Sequence, residues 1–144
     1  MIREMTVTDV PQVLSIERES FSDPWTEEMF LGAFKIPFSY NFVFEKEGKV
    51  AGYILGTLLF DEAEVCNVAT AKSHRGQGIG KALMDAFESE VVSLEGKKCF
   101  LEVRVGNTPA RTLYEKRGYR QIALRKRYYP DGEDALVMQK NFEE

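Results

Sequence analysis

The sequence predicts an α+β fold in which helices cover both faces of one mixed, mostly antiparallel sheet of about seven strands. Three observations carry this reading. Short apolar or alternating runs bounded by turn signals recur along the chain. Between them, apolar residues fall at helical spacing in four places. The resulting order is strand, two helices, three strands, helix, strand, helix, two strands, which suits a layered α+β architecture. At 144 residues, with 44% apolar and 29% charged side chains, the chain reads as one globular domain over positions 1–144, large enough for a core without staples or metal.

Each element has a local cause. Ile2 to Met5 reads as the first strand. Thr8 or Asp9, with Pro11 in the first turn, opens a helix whose apolar face is Val10, Val13, Leu14 and Ile16 and which ends near Ser20. Asp23-Pro24 breaks the chain. Thr26 then caps a short helix running to about Phe34, with Glu27 and Glu28 in the first turn, where negative charge is favoured; Pro37 prevents its continuation. Asn41 to Glu45, Val50 to Leu59 and Glu64 to Val68 read as three successive antiparallel strands, turning at Glu47-Gly48 and Asp61-Glu62. From Gly78 onward Ile79, Leu83, Ala86, Phe87, Val91 and Leu94 keep helical spacing until Gly96. Cys99 to Val105 is a strand. Asn107-Thr108-Pro109 starts a helix carrying Ala110, Leu113 and Tyr114 and stopping at Gly118. Gln121 to Arg127 and Ala135 to Gln139 are strands around a turn at Pro130-Asp131-Gly132.

Composition removes several function classes. Cys66 and Cys99 are too few for a disulfide scaffold and lie in apolar strand-like runs, so both are expected as reduced, buried thiols. The longest uncharged apolar stretch, Val50 to Phe60, is far short of the roughly 18 residues of a membrane helix. No charged segment followed by an apolar run opens the chain, so a cytoplasmic location is expected. A single histidine, His74, leaves no Ser-His-Asp or Cys-His machinery elsewhere and no multi-histidine metal site; no metal is expected. The net charge of −4 hides an asymmetry: positions 1–71 hold five basic and twelve acidic side chains, positions 97–127 ten basic and two acidic. The basic stretch attracts phosphates, nucleic acid or an acidic partner, without choosing among them.

The most informative segment is Arg75-Gly76-Gln77-Gly78-Ile79-Gly80, after a strand and running into a helix. Glycines let backbone approach a ligand, and a helix N-terminus offers free N–H groups to phosphate oxygens. Lys72, Arg75 and Lys81 add positive charge. It is neither a P-loop nor a dinucleotide fingerprint, and alone it reads as readily as a turn. The segment resembles the acetyl-CoA pyrophosphate loop of the GNAT acetyltransferase superfamily, whose motif is Arg/Gln-x-x-Gly-x-Gly/Ala after the fourth strand. The element order resembles that superfamily's acyl-CoA N-acyltransferase fold along the whole chain. This resemblance implies acetyl-CoA as cosubstrate, with Arg75, Gly76, Gln77, Gly78, Ile79, Gly80 and Lys81 at its phosphates. It also implies backbone groups of Val68, Ala69 and Thr70 at the pantetheine arm and thioester, and Asn107 at the cofactor; Asn107 reads equally as a helix cap.

Further elements narrow the resemblance. Leu101-Glu102-Val103-Arg104, Asn107, Leu113-Tyr114-Glu115, Gly118-Tyr119 and Tyr128-Tyr129-Pro130 with Glu133-Asp134-Ala135 are similar to the bacterial ribosomal-protein alanine N-acetyltransferases, as is Asp23-Pro24-Trp25. Gly76-Gln77 stands where many relatives carry two more basic residues, and the turn at Pro130-Asp131-Gly132 is short. The resemblance implies Glu102 as general base, acting through water, and Tyr114 as general acid. Read alone, Glu102 is a surface strand carboxylate and Tyr114 a core aromatic with its hydroxyl at the rim. Trp25, Tyr128 and Tyr129 read either as lining of the acceptor entrance or as core or rim packing.

Acetyl transfer to an amine needs a neutral nucleophile, a stabilised oxyanion and a proton for the departing thiolate. Deprotonating an α-amine with pKa near 8 costs about 1.4 kcal/mol at pH 7, against about 4.6 kcal/mol for a lysine. Peptide N-termini are therefore the easier acceptors. The implied acceptor is the N-terminal alanine of a basic ribosomal protein, the eighteenth of the small subunit. Broader protein N-termini, a small amine such as an aminoglycoside or polyamine, and a non-catalytic acyl-CoA-binding module stand as alternatives. Asp23, Asp131, Glu133 and Asp134 lie near the implied entrance and either steer a basic acceptor or serve the turns. No membrane and no direct nucleic-acid contact is expected, and with no base beside Cys66 or Cys99, transfer is expected to be direct, without an acetyl-enzyme.

Overall fold

The computed structural model describes residues 1–142. Their order is β1 (Ile2–Glu4), α1 (Val10–Ser20), α2 (Glu27–Ala33), β2 (Ser39–Lys46), β3 (Lys49–Leu59), β4 (Glu62–Thr70), α3 (Ile79–Ser93), β5 (Lys98–Arg104), α4 (Thr108–Lys116), β6 (Arg120–Arg125) and β7 (Ala135–Asn141), with short 3-10 turns at Val7–Asp9 and Lys72–His74. The seven strands form one sheet in the order β1-β2-β3-β4-β5-β7-β6. All neighbouring pairs are antiparallel except β4 and β5. The expected fold class is the observed one.

Alternation along the strands sorts side chains onto two faces. On one, Ile54 and Leu58 of β3, Ala63 and Val65 of β4, and Cys99, Leu101 and Val103 of β5 pack under Leu83, Met84, Phe87 and Val91 of α3 and Tyr114 of α4. On the other, Tyr53 and Leu55 pack under Val10, Val13 and Leu14 of α1 and Phe30 of α2. The approach of α3 to β3 is close: a Cβ on Gly56 would lie 2.2 Å from Phe87 Cε1 and 2.8 Å from Glu64 O. Only glycine fits there.

Two carboxylates are buried with partners. Glu17 of α1 accepts from Tyr53 Oη, from Asn67 Nδ2 at 2.7 Å and from the Trp25 amide at 2.9 Å. Glu88 of α3 accepts from both Arg117 and Lys140 and from Tyr119 Oη. A buried carboxylate needs such partners to offset its lost hydration.

Several local expectations change. β2 and β4 extend beyond the predicted runs, and β6 ends at Arg125 because Arg127 turns to φ 53°. Cys99 is buried, but Cys66 is exposed. The cause is a register step in β4, from Leu55↔Asn67 to Gly56↔Val65, which leaves Cys66 as the extra residue of a bulge and out of the core. Both thiols are free. Among the described residues, no helix is long and apolar enough to cross a membrane, and no group of three His, Cys, Asp or Glu side chains is arranged to hold a metal.

Candidate active site

The sheet opens in its middle. β4 and β5 pair in parallel only at Glu62↔Lys98, Ala63↔Cys99 and Glu64↔Phe100. Beyond that point β4 continues to Thr70 paired with β3 alone, while β5 continues to Arg104 paired with β7 alone. The inner edges of both strands thus carry backbone groups without a ladder partner, free to bind an extended ligand. Val68, Ala69 and Thr70 form the β4 edge of this gap.

The glycine loop closes the wide end of the gap. Gly76 and Gly78 have φ of 81° and 80°, and a Cβ on either would meet nothing within 4 Å. Glycine is needed there for its left-handed conformation, and the loop backbone stays open to a ligand. The first helical hydrogen bond of α3 runs from Ala82 N–H to Gly78 O, so the amides of Ile79, Gly80 and Lys81 belong to an open N-terminal turn. A phosphate suits this cradle. Arg75 braces it, donating to Thr70 O and Ser20 Oγ at 3.2 Å each, while Glu19 accepts from the Lys72 amide and Gln77 from Lys46. Lys81 pairs with Asp85 on the exposed face of α3. Gly80 lies near both Thr70 and Leu113 of α4. Asn107 Oδ1 accepts from Ala110 N–H, so its side chain caps α4.

Glu102 and Tyr114 flank the gap from opposite faces of the sheet. Glu102 alternates with the core residues Leu101 and Val103, so it points to the α1 and α2 side. There it accepts from Tyr128 Oη at 3.0 Å and pairs with Arg125 Nε at 2.5 Å. Tyr114 belongs to the α3 and α4 side; its buried ring packs edge-on against Tyr119, 6.0 Å between centroids. Burial pushes its pKa up to about 12. Tyr129 links the two: burial and then the Glu102 charge push its phenol up to about 12, and its own charge weighs on Tyr114. Both phenols stay protonated at neutral pH, the state a proton donor requires. The thiols are poor nucleophiles. Surrounding protein mass pushes Cys66 up to about 11 although it reaches solvent, and burial pushes Cys99 up to about 12.

Sequence reasoning missed the part played by Arg104. Its guanidinium donates to Asp23 at 2.7 Å, to Asp131 at 2.8 Å and to Glu133 at 3.0 Å, and stacks 4.0 Å above the Tyr129 ring. Three of the four acids expected at the entrance are therefore tied to one cation, and the fourth, Asp134, accepts from the Arg127 amide. Trp25 sits beside Phe30, its amide held by Glu17. The loops after α1 and after β6 are thus fastened to β5 at the rim of the gap. The signal was the alternation that puts Arg104 on the same face as Glu102.

Splayed parallel strands, a glycine loop feeding a helix N-terminus, and a carboxylate and a phenol at the two faces of the gap suit acyl transfer from a long, phosphate-bearing thioester. The chain belongs to the acetyltransferase (GNAT) family, whose model matches residues 10–119. It is an N-acetyltransferase with acetyl-CoA as cosubstrate. Over 140 residues it is 33% identical to the ribosomal protein bS18-alanine N-acetyltransferase of Escherichia coli K12, covering 95% of this chain and 94% of that protein. It is 32% identical over 150 residues to the N-alpha-acetyltransferase of Sulfurisphaera tokodaii, covering 95% and 90%. Among solved structures, the ribosomal-protein-S18-alanine N-acetyltransferase from Escherichia coli matches with a TM-score of 0.94 and 31% identity, over all of this chain and 94% of that one.

Proposed function

We propose that this chain acetylates the N-terminal alanine of a basic small-subunit ribosomal protein of the bS18 type, by direct transfer from acetyl-CoA. The observation that carries the chemistry is the divergence of β4 and β5 after Glu64 and Phe100, with Glu102 on one face of the opening and Tyr114 on the other. The acceptor assignment draws on the relatives named for that substrate. In this reading the loop Arg75 to Lys81 holds the pyrophosphate, and the free edge of Val68, Ala69 and Thr70 holds the pantetheine arm and polarises the thioester carbonyl. Asn107 stands at the start of α4 beside the same ligand.

The geometry supports the following roles. The acceptor enters on the α1 and α2 face, where Glu102 receives the ammonium proton through water. The neutral nitrogen attacks the thioester carbon, forming the C–N bond. As the tetrahedral species collapses the C–S bond breaks, and Tyr114, reaching the gap from the other face, protonates the thiolate. The proton still surplus on nitrogen restores the phenol through solvent, so the net reaction releases one proton. With both thiols held in their protonated form, no acetyl-enzyme enters the scheme.

Three acceptors test the assignment: a hexapeptide with the bS18 N-terminus, the same peptide with a blocked α-amine and a free internal lysine, and a panel of polyamines and aminoglycosides. The expected result is the largest kcat/KM for the free N-terminus. A better rate on the blocked peptide or a small amine overturns the N-terminal reading and leaves acetyltransferase activity standing.

A further inference from the structure

Glu17 of α1 is only 1% exposed, and no cation pairs with it among the described residues. Burying such a carboxylate is costly, and an apolar side chain would serve stability as well, so its use lies in what it orders. Its partners come from three segments. Tyr53 of β3 and Asn67 of β4 donate to Oε1, and the Trp25 amide, in the loop after α1, donates to Oε2. Burial, and then the Glu17 charge, push the Tyr53 phenol well above its ordinary range, so it keeps its proton for this bond. A carboxylate only accepts. The nitrogen of the Asn67 amide must therefore face Glu17, and the amide oxygen must face away from it.

That oxygen is open. It accepts from no donor among the described residues, yet it is not one of the two enclosed polar atoms without a partner, Asn41 Oδ1 and Arg111 Nε, so it reaches solvent. Register places it in the site. Glu64, the last residue of β4 paired with β5, stands opposite Thr57 of β3, Val65 opposite Gly56, and Asn67 opposite Leu55. With Cys66 as the extra residue of the bulge, Asn67 lies two register steps beyond Glu64, just as Glu102 lies two steps beyond Phe100 on β5. Asn67 reaches Glu17 of α1, and Glu102 points to the same side of the sheet. The two side chains therefore share the α1 and α2 face, at one level on opposite banks of the gap.

We propose that Asn67 Oδ1 binds the acceptor nitrogen on the β4 bank, accepting a hydrogen bond from the ammonium and then from the neutral amine, and that Glu17 is the positioning residue that keeps this oxygen turned to the acceptor. This rests on the reading of the β4–β5 opening as the site of transfer to an amine. No proton moves to Asn67, and the work of Glu102 is unchanged. By holding one N–H, the amide oxygen sets the direction of the nitrogen lone pair relative to the thioester carbon. An amide turned the other way would set its own N–H groups against an ammonium, donor against donor.

Reversing the amide tests this. In Glu17→Gln the Trp25 N–H still needs an oxygen at the Oε2 place, so the new NH2 falls at the Oε1 place; there the Tyr53 hydroxyl turns to accept from it, and Asn67 must flip to do the same. Adding Asn67→Asp restores the pattern, since one aspartate oxygen accepts from the glutamine and the other faces the acceptor. The measurements are kcat/KM for the free N-terminal peptide and acetyl-CoA affinity by calorimetry, in Asn67→Ala, Glu17→Gln and the double variant Glu17→Gln with Asn67→Asp. Loss of a hydrogen bond to a charged group predicts a fall in kcat/KM of about 10- to 100-fold in Asn67→Ala and in Glu17→Gln, with acetyl-CoA affinity unchanged. The double variant is expected to recover most of that loss, where a merely structural role would make it worse than Glu17→Gln alone. Asn67→Ala within about threefold of wild type, well under the loss expected, overturns the proposal. So does a parallel loss of acetyl-CoA affinity, or a double variant no faster than Glu17→Gln. Asn67→Ala keeps the bonds from Tyr53 and Trp25 to Glu17, so it decides the matter even where Glu17→Gln fails to fold. If the wild type prefers another amine, the N-terminal reading falls on its own, and the same variants assayed on that amine still decide the role of Asn67.

Discussion

Replacing Arg104 with alanine would release the rim of the site while leaving the glycine loop intact. The Arg104 side chain is 18% exposed, and its partners Asp23 and Glu133 are 33% and 32% exposed. Partly solvated pairs of this kind contribute about 0.5–1 kcal/mol each after screening. The stack on Tyr129 at 4.0 Å adds about 0.5–1 kcal/mol. Asp131 is the most exposed of the three acids and is left out of the sum. Together these give about 2 kcal/mol, or a fall in Tm of about 6–8 °C for a chain of this size. The variant also leaves Asp23, Asp131 and Glu133 facing one another without a cation, so the loops after α1 and β6 separate and the peptide entrance loses its shape. Thermal denaturation and steady-state kinetics read both effects. The acceptor KM is expected to rise several-fold while acetyl-CoA affinity holds, because none of these contacts touches the segment from Arg75 to Lys81. Arg104→Lys recovers less than half of the loss, since an ammonium cannot reproduce the planar fork or the stack. A Tm within about 2 °C of wild type, well under the shift expected from the lost pairs, together with an unchanged acceptor KM refutes the reasoning.

Three other variants probe the remaining parts. Tyr114→Phe removes one hydroxyl, so kcat is expected to fall by about 10²–10⁴ with acetyl-CoA affinity unchanged in calorimetry. A phenol pushed up to about 12 stays protonated well above neutrality, so the wild-type kcat should show no alkaline loss below about pH 10; a midpoint near pH 8 would assign the acid elsewhere. Gly78→Glu forces a left-handed residue and places a carboxylate beside the phosphate cradle, and calorimetry should find acetyl-CoA binding lost. Micromolar affinity retained in that variant would move the phosphates to another surface. Gly56→Ala puts a methyl group against Phe87 and Glu64 O, and denaturant unfolding should record a loss of about 1–3 kcal/mol or more. Unchanged stability there would mean that α3 shifts freely over β3.

The element order was legible because caps and periodicity are local. Thr26, whose side chain accepts from the Met29 amide, and Asn107, with Pro109 in the first turn, mark helix starts within a few residues of sequence. The apolar stripe from Ile79 to Val91 is buried along α3. What was lost is set by pairing between distant segments. The bulge at Cys66 exists only because β4 must step its register against β3, and an apolar run gives no sign of an extra residue. The contacts of Arg104 cross 81 residues to Asp23 and 27 to Asp131, distances at which no spacing rule applies.

The same limit explains the form of the site. Alternation in Leu101-Glu102-Val103 and the position of Tyr114 on a helix are both readable, and they suggest a carboxylate and a phenol facing one cleft. Topology makes that cleft a slot through the sheet. β4 and β5 are parallel neighbours for three residue pairs and then separate, so a residue on either face can reach the same opening. In the proposed reaction a base on the α1 and α2 face meets the acceptor, and an acid on the α3 and α4 face meets the leaving thiolate, without the two competing for one space. The Glu102 and Tyr114 side chains are kept apart by the thickness of one strand layer. In the proposed reaction that separation lets the Glu102 carboxylate and the protonated Tyr114 phenol serve one thioester from two sides, where direct contact would pair base with acid and leave neither free for its own partner.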